Sequence, residues 1–79
     1  MTKFEDDLII VDSKGQRFDN QEELLDYFAT IFCDGISGDD RNIELVEIFL
    51  EENELGEIPK TAMEWLSILN TIGGDWDLL

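Results

Sequence analysis

Asp40, Glu44, Glu47, Glu51 and Glu54 recur at three- and four-residue spacing. On a helix turning about 100° per residue they fall within an arc of roughly 80°. Such a row of carboxylates could do three kinds of chemistry. Acid–base catalysis needs a cleft in which burial raises one carboxyl's pKa, and a chain of 79 residues has little room for one. A Ca²⁺ loop needs oxygen ligands at positions 1, 3, 5 and 12 with Gly at 6. Counted from Ile36, only Asp40 and Glu47 fit, and Arg41 stands where the Gly belongs. No metal, cofactor or catalytic residue is therefore expected, and the chain is not expected to be an enzyme. The third chemistry is imitation of phosphate. Carboxylates along the seam repeat about every 5 Å of helix axis, against a phosphate about every 3.4 Å along one DNA strand. The match is one of scale and sign.

The seam is not neutralised. Like charges at these spacings destabilise a helix by a few tenths of a kcal/mol per pair, and between Asp40 and Glu57 the only base is Arg41, which lies off the seam. The whole chain repeats this imbalance: 20 Asp+Glu against 5 Lys+Arg, a formal net charge of −15, with no His. A net charge of about 2–8 suffices for the solubility of a small domain, so the excess points to a cationic partner. It excludes direct binding to nucleic acid, whose phosphates would be repelled, and to anionic lipid. The absence of His removes the usual base for Ser13, Ser37 or Ser67. A single Cys33 excludes an internal disulfide, and fits a reducing bacterial cytoplasm. No secretory signal opens the chain, and the longest apolar run, Leu8-Ile9-Ile10-Val11, is too short to cross a bilayer.

The elements that must hold these charges can be read from pattern. With 43 % hydrophobic residues at regular spacings, the chain is expected to fold rather than remain disordered. Leu8–Val11, the turn Asp12-Ser13-Lys14-Gly15 and Gln16–Phe18 read as a β-hairpin, with a type I turn closing on a left-handed Gly. A first helix begins at Asp19 or Asn20 with Glu22 or Glu23 placed as in a capping box; its apolar face is Leu24, Leu25, Phe28, Ile31 and Phe32, and Gly35 is its expected left-handed cap. A second helix opens at Ser37 and runs to about Asn53. With apolar residues over much of its circumference, it is expected to be central, the acidic seam being its main opening to water. A third helix opens at Pro59 and ends at Gly73-Gly74. The fold class is thus α+β, an N-terminal β-hairpin followed by three helices (ββααα), as a single domain over residues 1–79. Residues 75–79 have no assignable period, and an acidic flexible tail is one reading of them.

Weaker signals in the chain have plainer structural roles. Glu44-Leu45-Val46-Glu47 … Glu57-Ile58-Pro59 is reminiscent of an acyl carrier's second helix, but the Asp-Ser-Leu attachment triplet is absent. Asp6-Asp7-Leu8-Ile9-Ile10-Val11-Asp12 has the form of a SUMO-interaction motif, which adds a strand to a partner's sheet; as part of a hairpin those residues pack a core. Cys33 is expected to be inert and Trp65 to lie in the core. Trp76, between two aspartates, is either a lid folded back on the core or an exposed interface anchor.

An acidic chain with no catalytic apparatus acts by binding. In size, charge and its Asp40/Glu44/Glu47/Glu51 seam this chain resembles the small acidic inhibitors of bacteriophages and mobile elements, notably anti-CRISPR and anti-restriction DNA mimics. That resemblance implies a monomer that occupies the phosphate-binding surface of a basic nucleic-acid-binding protein, such as a CRISPR effector or a restriction enzyme. The expected partner-binding residues are Asp40, Glu44, Glu47, Glu51 and Glu54, supported by Glu22, Glu23 and Asp26 in the first helix and by Trp76. The alternative is an immunity protein or antitoxin that caps a basic nuclease toxin, with Tyr27 or Trp76 at the centre of a packed contact.

Overall fold

The computed structural model describes residues 2–79. Its elements run β1 (Ile10–Val11), β2 (Arg17–Phe18), α1 (Gln21–Phe32), α2 (Asn42–Glu52), α3 (Ala62–Thr71) and β3 (Asp77–Leu78). The hairpin and three helices make the expected α+β arrangement, and a third strand closes the chain. Contacts gather into two compact units, Met1–Gln21 with Pro59–Leu79, and Glu22–Ile58.

In the first unit the hairpin turn forms as its residues dictate. Asp12 accepts bonds at its Oδ1 from the backbone N–H groups of Lys14 (2.9 Å) and Gln16 (2.8 Å), the N–H of Gly15 donates to the Asp12 carbonyl, and Gly15 takes φ +83°. β1 pairs antiparallel with β2 on one side and with β3 on the other, Ile10 facing Phe18 and Leu78. The strand order β2-β1-β3 makes β1 central. Phe4, Ile10, Phe18, Ala62, Trp65, Ile68 and Leu69 form the buried set of this unit. Segment 75–79 supplies β3, and the Leu79 N–H donates to the Ile9 carbonyl (2.9 Å). Trp76 is half-buried, its ring 5.8 Å from that of Phe18. It lies so close over Gly74 that any Cβ there would overlap the indole.

α3 begins at Ala62, not at Pro59. Thr61 is its N-cap, the hydroxyl accepting from the Glu64 N–H (3.2 Å). Asp6 completes the cap from far back in the chain, accepting from the N–H groups of Ala62 (3.0 Å) and Met63 (3.1 Å). Partial desolvation pushes the Asp6 pKa up, but its bonds to Ala62, Met63 and Leu8 more than reverse this, and the carboxyl titrates below its ordinary value.

In the second unit α1 and α2 pack through Phe28, Phe32 and Phe49. The Phe28 ring lies 4.8 Å from Phe32, one helical turn on, and 5.4 Å edge-on from Phe49. Leu24, Ala29, Val46 and Leu50 are buried with Phe28. α2 starts at Asn42 rather than Ser37, because tertiary contacts hold residues 36–41 as a loop. Asp26 of α1 accepts from the Gly38 N–H (2.8 Å), the Ser37 hydroxyl (3.0 Å) and the Asn42 amide (2.8 Å); the same amide also donates to the Ile36 carbonyl (2.9 Å). The left-handed residue after α1 is Asp34 (φ +55°), not Gly35. Gly35 is needed for a different reason: a Cβ there would overlap Asn42 Oδ1 and stand 3.1 Å from the Ala29 carbonyl oxygen.

Candidate functional site

Charge is divided unequally between the units. Residues 22–58 hold twelve Asp+Glu and one base, Arg41, for a net −11; the other unit holds eight acids and four bases, for −4. Arg41 is itself engaged with Asp39 at 3.5 Å. Asp39 titrates low, first because the Arg41 backbone N–H donates to it and then because of the Arg41 side chain.

α2 presents three faces. Asn42, Val46 and Leu50 are buried. Glu44, Glu47 and Glu51 are exposed along the seam, with Asp40 exposed in the turn before the helix and Glu54 exposed after it. The remaining face corrects the expectation of a central helix whose main opening to water is its charged seam. Ile48 is 52 % exposed, Ile43 51 %, and Leu45 and Phe49 are half-buried. With a 12-residue α1 as its partner helix in this unit, α2 has one side buried, the seam exposed and the third side half-covered.

At the C-terminal end of α2 the seam turns into a concavity. A recess of about 700 Å³ is lined by Glu47, Glu51, Glu54, Gly56, Glu57 and Ile58. Four glutamates thus line one hollow, with no base in the last turn of the helix. The helix ends in a Schellman motif. The Leu55 N–H donates to the Leu50 carbonyl (2.8 Å) and that of Glu54 to Glu51 (3.1 Å), which places Glu54 at the left-handed position, φ +56°. α3 ends the same way, Gly74 to Leu69 and Gly73 to Asn70, and there the left-handed residue is Gly73. A side chain at this position costs backbone energy, and α2 bears that cost where the recess is. Glu57 had no place in the seam by helical period, since it lies beyond the helix. Gly56, left-handed at φ +91° just after the helix, is the signal that could have found it.

The other expected residues fall elsewhere. Glu22 and Glu23 are exposed in the first turn of α1. Asp26 is directed into the 37–42 loop, and its pKa is lowered first by the Gly38 N–H, against some desolvation, with help from Ser37 and Asn42. Trp76 belongs to the other unit, against Phe18. The SUMO-motif-like segment contains β1, which already has a strand on each side. Cys33 has its thiol pKa raised by partial burial and then by Asp34, which suits an inert thiol. Among the described residues no group of three or more acids or Cys is disposed to hold a metal ion, and no helix is long and apolar enough to cross a membrane. No protein-family model, curated protein or solved structure matches the chain.

Proposed function

We propose that this protein binds and inhibits a basic nucleic-acid-binding protein or complex, its carboxylates taking the places of phosphates, in the manner of anti-CRISPR and anti-restriction proteins acting in the bacterial cytoplasm. The observation that carries this is the concentration of charge: −11 on the 37 residues of one unit, presented as an exposed seam from Asp40 to Glu51 that runs into the four-glutamate recess. The unit keeps this arrangement against its own stability, with like charges unscreened at helical spacing, glutamates at the negative end of the α2 dipole and a left-handed Glu54. A field of this density speeds encounter with a cationic channel and weakens with salt.

One observation favours a second reading, an immunity protein or antitoxin for a basic nuclease toxin. The exposed apolar face of α2 offers the packed contact that such a dedicated pair requires.

The test is capture of partners from bacterial lysate on the tagged protein, with and without excess duplex DNA, repeated with Glu44, Glu47 and Glu51 all changed to Lys. The mimic predicts basic nucleic-acid-handling proteins that duplex DNA displaces and the triple variant fails to capture. A partner retained through both treatments would overturn it in favour of the dedicated pair.

A further inference from the structure

Beside the seam, on the side of α2 reached by turning roughly 120° about its axis, lies a groove the electrostatic reading does not use. Its floor is Leu45, Ile48 and Phe49, joined by Cys33 just after α1. Two hollows that share Cys33, Leu45 and Ile48 make it up, of about 380 Å³ toward Ile36 and about 200 Å³ toward Asn53. Ile48 and Ile36 are 52 % and 67 % exposed. Asp34, Asp39 and Glu44 edge the first hollow, where the one base, Arg41, is paired with Asp39, and Glu52 edges the second.

Building on the reading that the partner is cationic, we propose that this groove receives an amphipathic helix of that partner, with two or three large apolar side chains on one face and Lys or Arg flanking them. The apolar residues of the floor sit at positions i, i+3 and i+4 of α2, which is the ridge a second helix packs against. α2 is 11 residues long, about 16 Å, enough for roughly three turns of a helix anchored at i, i+3 or i+4, and i+7. Charge decides between occupants. A second copy of this chain would bring acids against Asp34, Glu44 and Glu52 and a further −15 overall, whereas a basic helix meets those same acids as counter-charges. The partner is thereby held twice: the seam meets its phosphate-binding cations, and the groove takes an apolar anchor that salt does not screen.

A fluorescent synthetic helix of about 14 residues, with Leu at i, i+3, i+4 and i+7 and Lys elsewhere, provides the probe. A peptide of the same composition with its leucines dispersed around the helix is the control. At about 0.15 M salt the patterned peptide is expected to bind at least about tenfold more tightly than the control, and Ile48→Ser to remove most of that ratio. Both Ile48 and Ile36 are more than half exposed, so Ile48→Ser and Ile36→Ser leave the fold intact, which circular dichroism verifies, and both must act alike. Glu47→Gln with Glu51→Gln should weaken both peptides and leave their ratio unchanged. Equal binding of the two peptides, or a ratio indifferent to both serine variants, overturns the proposal. So does a dimer in sedimentation that Ile48→Ser dissociates, since the occupant is then a second copy. If the ratio stands while capture from lysate yields no nucleic-acid-binding partner, the mimic reading fails and the groove remains.

Discussion

Replacing Glu54 by Gly should make this protein more stable and its acidic face less effective. Glu54 holds φ +56° in the Schellman motif that ends α2. A left-handed conformation costs a residue with a Cβ about 1–2 kcal/mol. Gly escapes that cost but gives back about 0.4–1 kcal/mol through the larger entropy of its unfolded chain. The difference leaves about 0.5–1 kcal/mol in favour of Gly, and loss of one of the four like charges that line the recess adds a few tenths more. For a chain of this size such a gain raises Tm by about 4–8 °C. Glu54→Gln separates the two effects, since it removes the charge and keeps the strained backbone; it should recover only the few tenths. Urea unfolding followed by circular dichroism at moderate salt measures both variants, with the slope m unchanged if only stability has moved. Gly73 in the equivalent position of α3 supplies the reverse case, and Gly73→Ala should destabilise by about 1 kcal/mol. If Glu54→Gly is no more stable than Glu54→Gln, the left-handed position carries no cost and the backbone argument for a retained function at Glu54 is void.

Asp26→Ala strips the Asn42 amide, the Gly38 N–H and the Ser37 hydroxyl of their shared acceptor and should cost about 2–3 kcal/mol at neutral pH, while Asp26→Asn, which keeps an acceptor oxygen, should cost about 1 kcal/mol. Because the Asp26 pKa is lowered from 3.8 in the fold, its contribution is complete above that value and is lost as pH falls through the folded pKa; both variants should therefore lose less stability than the wild type between neutral pH and about pH 3 in the same urea series. Gly35→Ala drives a Cβ into Asn42 Oδ1, a side chain only 2 % exposed and fixed by two donated bonds, so a loss of about 1–3 kcal/mol is expected in thermal melts. Asp6→Ala removes the acceptor for two N–H groups at the start of α3, and should cost about 0.5–2 kcal/mol, with faster hydrogen exchange at Ala62 and Met63 as the local signature.

What could be read from the sequence is what local forces decide. The hairpin turn needs only Asp12 to accept from Lys14 and Gln16 and Gly15 to turn left, all within five residues. The body of each helix follows from apolar spacing. Helix beginnings were misplaced wherever the deciding contact is distant. Ser37 is a good N-cap by type, but Asp26 and Asn42 claim residues 36–38 for a loop. Pro59 is a good first-turn residue, yet Asp6 reaches the N–H groups of Ala62 and Met63 from more than fifty positions away. A local signal did exist there: Thr61 followed three residues later by Glu64 is the capping-box spacing, and Thr61 is the cap. β3 has two residues, too few for any period, and exists because β1 has a free edge to pair with it.

For the candidate site, sequence delivered the charges and missed their setting. The seam is legible because it is a property of one helix and its period. Whether the opposite side of that helix is buried depends on how many elements pack around it, which no window of residues reports. Counting apolar positions on the α2 wheel suggested a core helix, and a core helix would leave only electrostatics to do the binding. With Ile48 in water and Leu45 and Phe49 half-buried, the same residues are open to the second contact proposed above. The two differ in physics: attraction by the seam decays with salt over about 8–10 Å, while burial of Ile48 does not. Raising salt should therefore slow association far more than it speeds dissociation. A protein that bound by its seam alone would lose its partner on both counts.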